Sequence, residues 1–186
     1  MLRAVQIVVD DGLAKPILVG RTAVIEENIK KLGLRLQHGV NIEIVDQEKN
    51  PQYDEFWQDY YTTMQRKGVT VEYAQREVRR RSTLVAAQLV KFGKADGMLC
   101  GTYASYDIHL DFVKNVIGLK EGRSKFFTLN ALMLEDRNLF IADTYVNTNP
   151  TAEQLAEMTI LAAEEVRRFG ITPRVALLSH SSFGSD

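Results

Sequence analysis

Short apolar runs alternate along the chain with longer segments whose apolar residues recur at helical spacing. The helical pattern predicts helices over residues 2–11, 22–32, 53–66, 71–80, 83–92 and 108–117. The short runs predict strands at residues 17–19, 42–45, 97–100 and 126–133. No segment repeats another, and no tract is of low complexity. This alternation of strands and helices indicates a protein of the α/β class.

The last part of the chain predicts a strand, a helix and a second strand in succession. Residues 139–142 form a short apolar run followed by turn-forming residues. Thr151 and Gln154 have the spacing of a capping box, and the helical repeat after them extends to Gly170, a residue type that often ends helices. Residues 175–178 predict the second strand. This order predicts a parallel sheet, which binds ligands at the carboxyl ends of its strands.

Three sequence motifs carry a family resemblance. Residues 140–158 read FIADTYVNTNPTAEQLAEM, residues 174–182 read RVALLSHSS, and residues 91–101 read KFGKADGMLCG. They resemble the patterns FADxxVNxxPTAEQLAEIA, RVAxLSxST and VKLGEADGMVSG of the phosphotransacetylases, which exchange acetyl groups between acetyl phosphate and coenzyme A. The resemblance implies a three-layer α/β/α fold like that of isocitrate and isopropylmalate dehydrogenases.

The same resemblance implies how the chain is divided. We expect a first domain at residues 1–122 and part of a second domain at residues 123–186, because Gly118, Gly122 and nearby charges interrupt the pattern there. The second half offers only two or three predicted strands, too few to bury a core of its own. We therefore expect the chain to be truncated at both ends.

Departures from the phosphotransacetylase pattern concern the groups that hold the acyl phosphate. Alignment from Gly101 places Asp111 where the family carries an arginine, and a carboxylate there repels an anion. A second family arginine falls at about Met64, although Arg66 lies nearby. The family's SRG element is absent from the sequence. The departures favour a domain without catalytic residues over an active acetyltransferase.

Other motifs resemble the phosphotransacetylase-like C-terminal domain of bacterial hybrid NADP-dependent malic enzymes. These are LAKPILVGR at residues 13–21, RRRSTLVA at 79–86 and MLCGTYAS at 98–105. The resemblance implies an acetyl-CoA-sensing regulatory domain, with malate oxidation, NADP and a divalent metal in a separate part of the parent protein. It also implies a homo-oligomer, at least a dimer. An active phosphate acetyltransferase and an assembly module without a ligand are the alternatives.

The resemblance also indicates candidate residues for acetyl-CoA or CoA. Thr102 follows the predicted strand at 97–100, and Asn147 follows the predicted strand at 139–142. The other candidates lie in the terminal loop, whose hydroxyl groups and glycine suit a phosphate; they are Ser179, Ser181, Ser182, Gly184 and Ser185. A chain terminus without a function has the same composition. Serine catalysis with His180 is disfavoured, because adjacent side chains on a strand point to opposite faces.

Two further clusters each admit two interpretations. The arginines at positions 76, 79, 80 and 81 suit a solvated helix face or a phosphate contact. The aromatic cluster suits a helix core or a platform for adenine; its members are Phe56, Trp57, Tyr60 and Tyr61.

Composition narrows the classes of partner. The chain has 23 basic and 24 acidic side chains, so no overall field attracts nucleic acid or a membrane surface. One cysteine excludes an internal disulfide and a thiolate metal cage. His38 and His109 lack the spacing of metal ligands, and no metal site is predicted. No signal peptide is recognisable, so we expect a cytoplasmic protein.

Overall fold

The computed structural model of the chain describes residues 1–178. Its residues form two compact units, of which the first is Met1–Gly118 and the second begins at Leu119. Helices and strands occur in both units, so the predicted α/β class is confirmed. The predicted division into domains at residue 122 stays a prediction.

The first unit begins with alternating helices and strands and continues with a run of helices. Its elements are α1 (Leu2–Asp10), β1 (Ile17–Val19), α2 (Thr22–Lys31), β2 (Glu43–Val45), α3 (Tyr53–Met64), a 3₁₀ turn (Gln65–Lys67), α4 (Val71–Arg80), α5 (Ser82–Lys91), α6 (Tyr106–Phe112) and a π-helical turn (Val113–Ile117). Strands β1 and β2 are parallel, with Leu18 opposite Ile44. Most of the predicted helices and both of these predicted strands are confirmed.

Two apolar clusters hold the first unit together. In the larger cluster, side chains of α3, α4 and α5 pack together, and Phe56 stacks on Phe92 with ring centroids 5.6 Å apart. In the smaller cluster, Ile42 and Ile44 pack against Ile29 of α2. Phe56 and Tyr60 are almost fully buried, so the interpretation of the aromatic cluster as a helix core is confirmed for these two residues.

The second unit contains an antiparallel hairpin and a long helix. Strands β3 (Asn130–Met133) and β4 (Asn138–Ile141) pair with Asn130 opposite Ile141, and helix α7 spans Ala152–Arg168. The predicted capping box of α7 is present, because Thr151 Oγ1 accepts from the Gln154 N–H and Gln154 Oε1 accepts from the Thr151 N–H.

Two strand predictions are wrong, at residues 97–100 and 175–178. Neither segment is a strand, and both are largely exposed. An apolar run becomes a strand only where a neighbouring strand accepts its hydrogen bonds, and within residues 1–178 neither segment has such a neighbour. The predicted parallel sheet of the second half is also wrong, because β4 pairs with β3 in an antiparallel hairpin.

Two other predicted elements differ in extent. The strand predicted at residues 126–133 is present only from Asn130, because the Thr128 N–H donates to the side chain of Asp143 instead of to a neighbouring strand. The helix predicted at 108–117 begins at Tyr106, and its last turn is π-helical. In both cases the boundary depends on a side-chain hydrogen bond or on the geometry of the helix end, and the spacing of apolar residues does not report either one.

Candidate functional site

The loop at residues 101–105 carries Thr102 between the end of the exposed segment 97–100 and helix α6. Gly101 and Ala104 have φ values of 103° and 71°, so the chain turns sharply on both sides of Thr102. Thr102 is exposed, and the adjacent Tyr103 is 87% exposed. The predicted residue Thr102 therefore lies where a ligand in solution can reach it.

His109 of α6 holds this loop against the body of the first unit. Its Nε2 donates to the carbonyl of Tyr103, and its Nδ1 lies 2.7 Å from Oγ1 of Thr83. Thr83 belongs to α5 and is buried. His109, for which the sequence predicted no metal-binding role, thus connects the exposed loop to helix α5. His109 and Thr83 are 26 positions apart, so sequence spacing carried no signal of this contact.

The two aligned arginine positions lie in different environments. Asp111 is exposed on α6, where its carboxylate faces solvent. Met64 is buried at the end of α3 in the apolar core. Neither side chain supplies a positive charge. The nearby Arg66 is exposed and lines a shallow surface depression with Tyr61, Thr70 and Glu72.

The arginine cluster of α4 is exposed on the surface of the first unit. Arg79 lies over the ring of Tyr53, with 4.4 Å between the guanidinium carbon and the ring centroid. Arg76 lies over Tyr73 at 5.0 Å. Arg81 donates to Glu77 at 3.1 Å. Stacking on tyrosine rings orients two guanidinium groups while leaving their N–H groups available.

Asp143 is the centre of a polar cluster in the second unit, directly after β4. Its Oδ1 accepts from the Thr128 N–H at 2.8 Å, and its Oδ2 accepts from the Asn147 N–H at 2.9 Å. The hydroxyl of Thr128 lies 2.9 Å from Asp143 Oδ1 and accepts from the Thr144 N–H, also at 2.9 Å. The carboxylate therefore joins the residues before β3 to the turn after β4.

Asn147, a predicted ligand residue, uses both of its amide hydrogens inside this cluster. Its Nδ2 donates to the carbonyl of Phe126 at 2.8 Å and to Oδ2 of Asp143. Both partners are acceptors, so the orientation of the amide is fixed. Among the contacts within residues 1–178, only its Oδ1 is left for a ligand, and it can only accept a hydrogen bond. Asn147 therefore suits an N–H group of a ligand and not a phosphate oxygen.

The predicted serine loop lies outside the described residues. Ser179, Ser181, Ser182, Gly184 and Ser185 belong to the segment 179–186. Among the candidates that can be placed, Thr102 belongs to the first unit and Asn147 to the second.

The described part of the chain can be assessed for clusters of metal-binding side chains, for reactive thiols and for membrane-spanning helices. No group of three or more His, Cys, Asp or Glu side chains within residues 1–178 is arranged to hold a metal ion. Cys100 is exposed as a residue, but partial desolvation of its thiol raises the pKa, which disfavours the reactive thiolate. No helix among these residues is long and apolar enough to cross a membrane.

Comparisons with known proteins agree with the motifs. The family profile for phosphate acetyl/butaryl transferases matches residues 1–186. The chain is 55% identical to an NADP-dependent malic enzyme of Haemophilus influenzae and 54% identical to one of Escherichia coli; each match covers 100% of this chain and 24% of the relative. It is 35% identical to a phosphate acetyltransferase of Nitratidesulfovibrio vulgaris, over 100% of this chain and 26% of that protein. The chain thus spans about a quarter of the length of these relatives.

A solved structure resembles the fold. The EutD phosphotransacetylase from Staphylococcus aureus matches with a TM-score of 0.73 and 22% identity, over 99% of this chain and 63% of that one. This likeness shows the fold, which is that of a phosphotransacetylase.

Proposed function

The chain belongs to the phosphate acetyl/butaryl transferase family, and on that premise we propose that it is an acetyl-CoA-sensing, non-catalytic regulatory domain of an NADP-dependent malic enzyme. In this proposal the residues form part of a three-layer α/β/α domain of the isocitrate dehydrogenase type. Oxidative decarboxylation of malate to pyruvate belongs to a separate part of the protein, which also holds NADP and a divalent metal. The identity of 52–55% with three curated NADP-dependent malic enzymes supports this choice of parent.

The proposal that the domain is not catalytic rests on Asp111 and Met64, which stand at the positions of the two family arginines. Acyl phosphate carries negative charge, and its transfer requires cations that stabilise the phosphate. Asp111 presents a carboxylate on the exposed face of α6, and Met64 is buried among apolar side chains. A carboxylate and an anion near contact repel by about 4 kcal/mol at an effective dielectric of 20. A site with this charge can bind a thioester and still fail to transfer its acyl group.

Regulation requires that acetyl-CoA bind one arrangement of the parent protein more tightly than another. A symmetric subunit interface provides two such arrangements in a homo-oligomer. We propose that the parent is at least a homodimer in the cytoplasm, with helix α7 or strand β3 contributing contacts. Exposed apolar residues support this assignment; Met133 in β3 is 80% exposed and Ile160 in α7 is 56% exposed.

Calorimetric titration with acetyl-CoA tests the sensing proposal. Acetyl-CoA or CoA at millimolar concentration should give a saturable heat signal and raise the melting temperature of the full-length protein, because a ligand that binds only the folded state stabilises it. Absence of both signals would refute the proposal. The control is acetyl phosphate alone, which lacks the nucleotide and should have a much smaller effect.

An active phosphate acetyltransferase is the second candidate, and Arg66 is the observation in its favour. Arg66 is two positions from Met64, and its exposed guanidinium lines the surface depression beside α4. A small shift of the alignment would give this arginine the role of the missing cation. The third candidate, an assembly module without a ligand, predicts the same oligomer but no response to acetyl-CoA.

A further inference from the structure

The backbone of the loop at residues 101–105 places the large aromatic side chain of Tyr103 in solvent. Its side chain is 87% exposed, although tyrosine rings bury substantial apolar area when they can. It follows Thr102, the residue of the first unit that we assign to acetyl-CoA. The loop around it turns at Gly101 and at Ala104, both with positive φ.

The anchor of the loop acts at the carbonyl of Tyr103 itself. A carbonyl can only accept, so Nε2 of His109 carries a proton in this contact. In a neutral imidazole Nδ1 then accepts from the Thr83 hydroxyl, which lies 2.7 Å away. If the ring is doubly protonated, the hydroxyl accepts instead and the bond to Tyr103 is kept. The backbone of Tyr103 is therefore linked through His109 to buried Thr83, whether the imidazole is neutral or charged.

The charge around this loop selects which part of acetyl-CoA can lie there. The first turn of helix α6, directly after the loop, carries the exposed carboxylate of Asp107. It disfavours the phosphate groups of CoA, since like charges repel. The adenine base is uncharged at neutral pH and has an exocyclic amino group that donates hydrogen bonds. A tyrosine whose backbone is anchored just before an acidic helix turn thus suits the base and not the phosphates.

We propose that Tyr103 stacks on the adenine base of acetyl-CoA and that His109 is the positioning residue that holds Tyr103 in place. The inference rests on the proposed function, because it takes acetyl-CoA as the ligand. Stacking of a base on an aromatic side chain contributes enough affinity to be measured by substitution with alanine. Anchoring the backbone beforehand reduces the entropy lost when the base binds.

The first experiment compares two substitutions at Tyr103 and two ligands, by calorimetry on the full-length protein. Tyr103→Ala should weaken acetyl-CoA binding roughly 5- to 100-fold, whereas Tyr103→Phe keeps the ring and should change it less than about 3-fold. S-acetylpantetheine lacks the adenine nucleotide, so its affinity should be the same for the wild type and both variants. An equal loss for both ligands would overturn the stacking role.

The second experiment tests His109 as the positioning residue. The amide nitrogen of a glutamine reaches about as far as Nε2 of histidine, while that of an asparagine reaches only the position of Nδ1. His109→Gln should therefore retain acetyl-CoA affinity better than His109→Asn. Thr83→Ser should behave as wild type, and Thr83→Val, which loses the hydroxyl, should weaken binding in the direction of His109→Asn. Equal affinity of all four variants would refute the positioning role.

A label on the lone cysteine reports the loop without any ligand. Cys100 is exposed, immediately precedes the loop and is the one cysteine among these 186 residues, so it can be labelled alone in a full-length protein whose cysteines outside the segment are replaced by serine. A fluorophore there should show lower anisotropy in His109→Asn than in the wild type or in His109→Gln, because the loop loses its anchor. Unchanged anisotropy would contradict the anchoring role.

The outcomes separate the two proposals. If wild-type protein fails to bind acetyl-CoA, the proposed function is wrong, whatever the variants do. If the wild type binds and Tyr103→Ala binds equally well, only the stacking inference is wrong. If Tyr103→Ala alters the sedimentation coefficient and leaves acetyl-CoA affinity unchanged, the ring is a subunit contact and the stacking inference is overturned.

Discussion

Replacing Asp143 should destabilise the second unit, because its carboxylate accepts several hydrogen bonds there. Its two oxygens accept the backbone N–H groups of Thr128 and Asn147, at 2.8 and 2.9 Å, and one amide hydrogen of the Asn147 side chain. Asp143→Ala leaves two backbone donors without these acceptors. A buried donor without a partner costs about 1–3 kcal/mol, and partial access to water reduces this. We expect a loss of about 3 kcal/mol in the free energy of unfolding.

Asp143→Asn isolates the acceptor role from the loss of side-chain volume. Each carboxylate oxygen of Asp143 faces at least one N–H donor, so either orientation of the new amide places its NH₂ group against a donor. We expect a loss of about 2 kcal/mol. The matched control is Asp136→Asn, because Asp136 is exposed and lies 3.9 Å from Arg137 Nε; it should change stability by less than about 0.5 kcal/mol.

Urea denaturation followed by far-UV circular dichroism measures these free energies. Amide hydrogen exchange gives the local answer, since the N–H groups of Thr128 and Asn147 should exchange at least about 10-fold faster in Asp143→Ala. If Asp143→Asn is as stable as wild type and both amides keep their protection, the polar cluster is not what joins β3 to the turn after β4.

Three further predictions concern a helix cap, a buried phenol and the missing chemistry. Thr151→Ala should lower the free energy of unfolding by about 1 kcal/mol, with Thr151→Ser close to wild type, as measured in urea; equal stability of all three would contradict the capping box. Burial, together with Tyr73 and Glu77, raises the pKa of Tyr60 to about 12. In the unfolded chain the tyrosine hydroxyl ionises near pH 10, so the free energy of unfolding should fall by about 2 kcal/mol between pH 10 and 12. Tyr60→Phe should remove this loss, whereas Tyr145→Phe, at an exposed position, should not. In a coupled assay with acetyl phosphate and CoA neither wild type nor Asp111→Arg should turn over, and a rate of about one per second would contradict this expectation.

Helices and their caps were predictable because their signals are local. The spacing of apolar residues gives α4 its observed bounds, and the four residues from Thr151 to Gln154 contain all the groups of the capping box. Strands depend on a distant neighbour. Residues 97–100 and 175–178 have apolar runs typical of buried strands, yet within residues 1–178 no strand lies beside them, so their pattern alone was misleading.

The candidate site was predictable to the extent that it rests on motifs. The resemblance located Thr102 and Asn147 and identified Asp111 as a departure. It could not show that Asn147 donates both amide hydrogens within the protein, because that depends on Phe126, which is 21 positions away. The same holds for His109, whose partner Thr83 lies in another helix. Contacts between residues distant in sequence decide which atoms are left for a ligand.

The central claim, that these residues sense acetyl-CoA for a malic enzyme, is tested most directly by NADP reduction with malate. The measurement compares the full-length protein with a version lacking this 186-residue segment, each with and without acetyl-CoA. We predict that acetyl-CoA inhibits the full-length protein and that the shortened protein oxidises malate without inhibition. Inhibition that persists after the segment is removed would contradict the account.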